Sequence, residues 1–181
     1  MRLQKNRLCL WQKPSFQMKP ILRNVSILLL VLANAGCDQL SKDVARKNIA
    51  YHETINVIGN HFILTKVENS GAFLSTGDSM TDSVKFIFLS LIPLLALCYG
   101  IYYLLKNSQL NTLLVLGICF VIGGGLGNLY DRLLYGSVTD FLHIDFYFLK
   151  TGIFNLADVS IMIGMIMLVI HLYVKRTLQF T

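Results

Sequence analysis

The run from Gly123 to Asp158, GGGLGNLYDRLLYGSVTDFLHIDFYFLKTGIFNLAD, decides how this chain folds. It sets Asp131, Asp140, Asp145 and Asp158, together with Arg132, Asn128 and Asn155, between two apolar segments. Leu113 to Ile122 before it and Val159 to Ile170 after it carry no charge. Ionisable groups at membrane depth are costly, so those that persist are candidates for function. The flanking segments therefore read as membrane helices, and the acids sit where those helices end.

Working outward, the rest of the chain agrees. Its 181 residues are 54% hydrophobic and only 14% charged, and the mean hydropathy is +0.57. These values exclude an ordinary soluble globular domain. A helix needs about 20 apolar residues to cross the hydrocarbon core. Four stretches qualify: roughly Ile21 to Leu40, Val84 to Leu105, Leu110 to Tyr130 and Ile153 to Val174. Arg23 and Asn24 interrupt the first, where a long basic side chain can snorkel to the interface. The expected fold is an α-helical membrane protein with four transmembrane helices and a small β-containing extracytoplasmic loop domain. The organisation expected is a basic cytoplasmic tail over 1–19, one four-helix membrane domain over 20–174, and a short cytoplasmic tail over 175–181. Extracytoplasmic loops are expected at about 41–83 and 131–152.

Basic residues set the orientation. Arg2, Lys5, Arg7, Lys13, Lys19 and Arg23 precede or open the first span with no acid among them, and Lys106, Lys175 and Arg176 follow the later spans. The positive-inside rule then puts both termini in the cytoplasm. The net charge of +6 reads as a topology signal and lipid-headgroup contact rather than nucleic-acid binding. Cys9, Cys37, Cys98 and Cys119 show neither a disulfide pattern nor metal-ligand spacing, so they read as small apolar fillers and no metal is implied.

In chain order, Ala35-Gly36-Cys37 after a basic and apolar start looks superficially like a lipoprotein signal. Asn34 and the three later spans argue against that. Asp38 and Lys42 are four apart and can pair on one helix face, either as an interfacial ion pair or as a brace for a site. Ile55–Ile58 and His61–Val67, around Gly59-Asn60, read as a hairpin. Asn69 precedes a small-residue turn at Ser70-Gly71 and suits turn chemistry or an amide offered to a peptide. His52 and His61 read as surface residues. Pro93 should kink the second span. Gly123 and Gly127 form a G-x-x-x-G that lets helices approach closely. Asn128 shares a face with Asp131, and Asn155 shares one with Asp158, which should lie about one turn into the fourth span.

Two carboxylates brought close together cannot both ionise, so one keeps a proton while the other activates water. That is the chemistry of an aspartic peptidase, and it requires no metal. Satisfied interfacial caps are the plainer use of such acids. On spacing alone, either Asp131 or Asp140 can partner Asp158.

The boxes Asp38-Gln39-x-x-Lys42, Asn69-x-Gly71-Ala72-Phe73, Gly127-Asn128-x-x-Asp131-Arg132, Gly136-x-Val138-x-Asp140-Phe141 and Phe154-Asn155-x-Ala157-Asp158 together resemble those of lipoprotein signal peptidase (signal peptidase II, aspartic peptidase family A8). They occur in that family's order, at the ends of the four spans. The resemblance implies an enzyme of the bacterial inner membrane that cleaves prolipoproteins just before a diacylglyceryl-modified cysteine, with no cofactor and as a monomer. It assigns catalysis to Asp140 and Asp158. Substrate binding falls to Asn69, Asn128, Arg132 and Asn155, and support to Asp38, Lys42, Gly71, Asp131 and Ala157, with Asp131 orienting Asn128 and Arg132. Prolipoproteins and membrane lipids are the implied partners, and the site would face outward. The rival class is a proton-coupled carrier. Carriers often show internal repeats, and the two halves of this chain share no motif.

Overall fold

The computed structural model describes residues 19–71, 81–146 and 149–179. Helix α1 spans Pro20–Asn48, α2 Asp82–Lys106, α3 Thr112–Tyr135 and α4 Leu156–Gln179; strands β1 Ile55–Ile58, β2 Phe62–Asn69, β3 Val138–Phe146 and β4 Leu149–Lys150 fill the connections. All four helices are long and apolar enough to cross a membrane. Their outward faces expose Leu29, Leu32, Leu95, Ile166 and Val169. Lipid tails solvate such side chains as well as a protein interior does.

Helix–helix contact is made by small residues. A Cβ on Gly123 would collide with Asn34 of α1, and one on Gly127 with Asp38 one turn further along. The G-x-x-x-G is therefore the seat of α1. On the neighbouring face, a Cβ on Gly124 would meet the carbonyl of Ala157, so α3 touches α4 at its first turn. The end of α3 is capped by Gly136, whose φ of +73° is the left-handed conformation that closes helices cheaply only at glycine.

Three boundaries depart from the sequence expectation. Helix α1 does not stop near Leu40 but runs to Asn48, because Asp38, Lys42 and Arg46 repeat every four residues, Asp38 meeting the start of α4 and Lys42 and Arg46 meeting α3. Helix α3 runs past Tyr130 to Tyr135, which keeps Asp131 and Arg132 helical. Helix α4 starts at Leu156 rather than Ile153. The preceding residue Phe154 is pinned to β3 by paired backbone hydrogen bonds with Leu142, 2.8 and 2.9 Å. In α2, where a kink is expected at Pro93, a π-turn over Ile87–Leu91 lies just before the proline, and the N–H of Ile92 reaches back to the carbonyl of Ile87. Such a turn absorbs the register break that proline imposes.

The hairpin expected around Gly59-Asn60 is present as β1 and β2. Strand β2 also pairs antiparallel with β3, so the sheet order is β1-β2-β3-β4. Phe141 and Leu142 of the sheet pack against Ala45 and Ile49 at the end of α1. His61 is not a plain surface residue: its ring stacks on Phe146 at 5.1 Å, and Nδ1 lies 2.8 Å from the carbonyl of Asp145. His52 is exposed. Ala72 and Phe73, singled out in the sequence, lie outside the described residues, as does the basic tail before Lys19.

Candidate active site

At one end of the bundle, where α1 and α3 finish and α4 begins, four acids gather in two clusters. The first holds Asp38 and Asp131, both fully buried. The fully buried ammonium of Lys42 lies 2.8 Å from Asp38 and 2.9 Å from Asp131. Arg46 approaches the other oxygen of Asp131 at 2.8 Å. Gln39 donates to both acids and to the carbonyl of Gly127. The remaining oxygen of Asp38 accepts the backbone N–H of Ala157 at 2.9 Å, which ties α1 to the start of α4. Two cations thus answer two anions, the condition for burying charge without a large penalty.

The second cluster holds Asp140 and Asp158 and is built differently. Asp140 comes from β3, where it pairs in register with Val67, and Asn69 lies diagonally across from it on β2. Asn69 donates to one carboxylate oxygen at 3.1 Å, and Asn155 donates to the other at 2.6 Å. Asp158 sits in the first turn of α4. The Asn155 side chain accepts the N–H of Asp158 at 3.0 Å, while Asp158 accepts the N–H of Asn155 at 3.2 Å. This reciprocal arrangement is a capping box, and it follows from the late start of the helix. The other Asp158 oxygen accepts the Asn128 amide at 2.8 Å. Asn155 therefore donates to both carboxylates, to Asp140 through its side-chain NH2 and to Asp158 through its backbone N–H.

Among the described residues no lysine or arginine forms an ion pair with either acid. Burial, helped by the nearby negative charge of Asp158 and opposed by the Asn69 and Asn155 amides and the more distant charge of Lys42, raises the Asp140 carboxyl to about 6. An acid held there keeps its proton over much of the range in which an ordinary carboxyl has lost it.

The two clusters meet at Asn128. Its oxygen accepts from Lys42 at 2.9 Å while its nitrogen donates to Asp158. Asp131 was expected to orient Asn128 and Arg132. It reaches Asn128 only through Lys42, and its own partners are Lys42, Arg46, Gln39 and, at 3.4 Å, the N–H of Thr139. Arg132 instead donates to the carbonyl of Gly71 at 3.2 Å. Its Nε is buried with no hydrogen-bond partner among the described residues. Gly71 in turn donates its N–H to the Asn69 oxygen at 3.1 Å, so Asn69 serves both turn and carboxylate. The three asparagine amides expected to face a substrate are thus engaged with the acids.

The sequence reading gave no role to Gln39, Arg46, Thr139 or Glu68. Arg46 donates to the Thr139 hydroxyl at 2.9 Å, and that hydroxyl donates to Glu68 at 2.8 Å; Ser137 also donates to Glu68, at 2.6 Å. The spacing of Asp38, Lys42 and Arg46 carried the signal for Arg46. Glu68 had none, because its meeting with Thr139 depends on the register between two strands far apart in the chain.

Comparison with known proteins gives a consistent answer. A family model described as signal peptidase (SPase) II matches residues 28–174. The lipoprotein signal peptidase of Streptococcus thermophilus is 34% identical over 152 residues, covering 84% of this chain and 95% of that one. That of Clostridioides difficile is 37% identical over 144 residues, covering 80% and 92%. A solved bacterial membrane enzyme superposes with a TM-score of 0.73 at 28% identity, covering 82% of this chain and 87% of the other.

Proposed function

The chain belongs to the signal peptidase II family of bacterial multi-pass membrane peptidases, which remove signal peptides from lipoproteins, and from that premise we propose that Asp140 and Asp158 form its water-activating pair. The observation that carries this reading is the contrast in compensation: Asp131 is clamped by Lys42 and Arg46, whereas Asp140 and Asp158 are held by neutral amides alone. An acid pinned by two cations has both oxygens occupied and is placed for a structural role. A buried acid held by amides, and raised to about 6, keeps the proton a dyad must share.

In this mechanism Asp140 is the protonated member and Asp158 the ionised one. Asp158 takes a proton from water as the oxygen attacks the scissile carbonyl, and Asp140 gives its proton to the developing oxyanion. The tetrahedral intermediate then collapses with proton return to the leaving nitrogen. Asn155, touching both acids, fixes their relative orientation, and Asn69 and Asn128 fix the outer edges. Arg132, with an unpartnered buried Nε close enough for its charge to act on Asp158 and Asp140, is the donor left for a substrate carbonyl.

The cleaved bond is the one on the N-terminal side of the lipidated cysteine. The site then lies at the outer face, with both termini cytoplasmic, as the basic tail requires under the positive-inside rule. One four-helix domain over 20–174 carries both acids and the asparagines that hold them, which supports a monomer as the working unit.

Cleavage of a lipidated proprotein in membranes tests the assignment. Asp140→Asn and Asp158→Asn should each lose at least about a thousandfold in rate while remaining folded and inserted. Near-normal cleavage by Asp140→Asn would remove Asp140 from the pair while leaving the peptidase reading intact. Proton flux across liposomes that depends on Asp158 would favour the carrier reading instead.

A further inference from the structure

A cavity of about 560 Å³ lies at the far end of the bundle, between the start of α1 and the connector into α3. Along α1, Arg23 is about 22 Å from Asp38 at 1.5 Å per residue, so this cavity is separate from the site of the acids. Its size is typical of ligand sites. The floor is apolar, formed by Ile27, Leu30, Val115, Leu116 and Cys119, and the rim carries Lys19 and Arg23 with no Asp or Glu in the lining.

The rim is built to present positive charge. Arg23 donates to the carbonyls of Leu104 and Asn107 at 3.0 and 2.9 Å and to the Asn24 side chain at 3.2 Å. Those partners are neutral oxygens, so the guanidinium is fixed in place and its charge remains. Helices α1 and α3 both begin here, and their dipoles add partial positive charge at the same rim. Ser108, Gln109 and Thr112 add polar atoms beside it. A cationic rim over an apolar floor, at the level where two spans enter the membrane, matches one ligand chemistry: an anionic head joined to a hydrocarbon chain.

We propose that this cavity binds an anionic glycerophospholipid from the leaflet opposite the carboxylates, its phosphate between Lys19 and Arg23 and one acyl chain along Ile27, Leu30 and Leu116. Basic pockets between membrane helices recognise acidic headgroups by this combination. A bound lipid would also hold the start of α1 against the α2–α3 connector, where Arg23 already bridges the two through Leu104 and Asn107.

The test is native mass spectrometry of the full chain, delipidated in an uncharged detergent and titrated with dioleoyl phosphatidylglycerol, dioleoyl phosphatidylcholine or inorganic phosphate. One phosphatidylglycerol should be retained, about tenfold tighter than phosphatidylcholine, and inorganic phosphate should not bind. Lys19→Gln should weaken retention about fivefold, the share of one basic residue near a headgroup. Ser26→Phe should weaken it at least about tenfold by obstructing the cavity; the Ser26 hydroxyl bonds only Leu22 of its own helix, so little else changes. Lys175→Gln, a basic change outside the cavity, should have no effect. Equal retention of the two lipids overturns the proposal, and that comparison needs no variant. So does unchanged affinity in both Lys19→Gln and Ser26→Phe, or binding that appears only after residues 1–18 are removed, which would make the chain's own tail the occupant.

Discussion

Two pairs of acids, all buried except the half-buried Asp158, lie side by side in this molecule, and they are neutralised in opposite ways. Asp38 and Asp131 are answered by Lys42 and Arg46; Asp140 and Asp158 are answered by Asn69, Asn128 and Asn155. Cations fix a protonation state and lend rigidity. Amides fix a position and leave the proton free to move. The first pair thus serves as the frame that locks α1, α3 and α4 together, and the second is free to do chemistry. Asn128, with Lys42 on one side and Asp158 on the other, is the joint between them.

The strongest way to break this contrast is to take the cation out of the frame. Lys42→Met leaves Asp38 and Asp131 facing each other with Arg46 as the remaining cation and the neutral Gln39 amide between them. Removing one partner of a buried ion pair typically costs about 3–5 kcal/mol. The variant should unfold at markedly lower temperature in detergent, and its activity should disappear along with its fold. Replacing Lys42, Asp38 and Asp131 together with apolar residues of similar volume should recover much of that stability, because whole buried ionic clusters are often replaceable, and the partly exposed Arg46 keeps Thr139 as a partner. Activity should not recover with it, since Asn128 has lost the group that orients its oxygen.

The site pair responds to pH through Asp140. Folding raises the Asp140 carboxyl from 3.8 to about 6. Between those values the folded state holds more protons than the unfolded one, so stability falls as pH rises through the window and levels off above about 6. The full effect is about 3 kcal/mol at most. Asp140→Asn should flatten this slope in thermal unfolding measured from pH 4 to 7, and Asp43→Asn, at an exposed surface pair, should leave it. In the wild type, kcat/KM should fall on the alkaline side with a limb near 6. The limb in kcat should sit higher, because substrate dries the site further. A slope that persists in Asp140→Asn would place the titrating group elsewhere.

How much of this contrast was legible in the chain depends on how local each part is. The four spans, the hairpin turn at Gly59-Asn60 and the Asp38–Lys42 pair follow from hydropathy, turn chemistry and helical spacing, all of which act over a few residues. The partners of those residues were not legible. Asp131 and Asp140 carry the same side chain only a few residues apart, and nothing in their spacing tells which one meets cations. That is settled by α1 continuing to Asn48, which brings Arg46 onto Asp131, and by the β2–β3 register, which brings Asn69 onto Asp140. The late start of α4 was hidden for the same reason. The Phe154–Leu142 bridge that delays it joins β3 to a segment with no strand pattern of its own.

Smaller changes sharpen the comparison at its joint. Asn128→Leu removes both hydrogen bonds of the connecting amide. Lys42 keeps its two carboxylates, so the loss of stability should be about 1–3 kcal/mol, the cost of an unmet buried hydrogen bond. Catalysis should suffer more. Asp158 would keep the N–H of Asn155 but lose its outer restraint, and a displacement of about 1 Å at a reacting group can cost about a hundredfold. A fall in kcat of that order, with KM little changed, would mark Asn128 as a positioning residue. A rise in KM alone would make it a substrate contact instead.

The mildest expected effect is at Arg46. Its side chain is 21% exposed, whereas that of Lys42 is fully buried, and its guanidinium also rests 4.4 Å over the ring of Tyr135. Arg46→Gln keeps a donor within reach of Thr139 or Asp131, though not both, and leaves Lys42 to neutralise Asp131. A partly solvated ion pair of this kind is worth about 1 kcal/mol or less, so the unfolding midpoint should drop by a few degrees at most. The informative readout is the sheet. Arg46 reaches β3 through Thr139, and Thr139 reaches β2 through Glu68. Both β2 contacts with this network lie next to Asn69, and Thr139 lies next to Asp140. If the frame holds the site in register through that relay, Arg46→Gln should lower kcat severalfold and Glu68→Gln should reproduce the effect. If Arg46→Gln lowers stability and leaves kcat untouched, the frame supports the bundle alone, and the site draws its order from the asparagines.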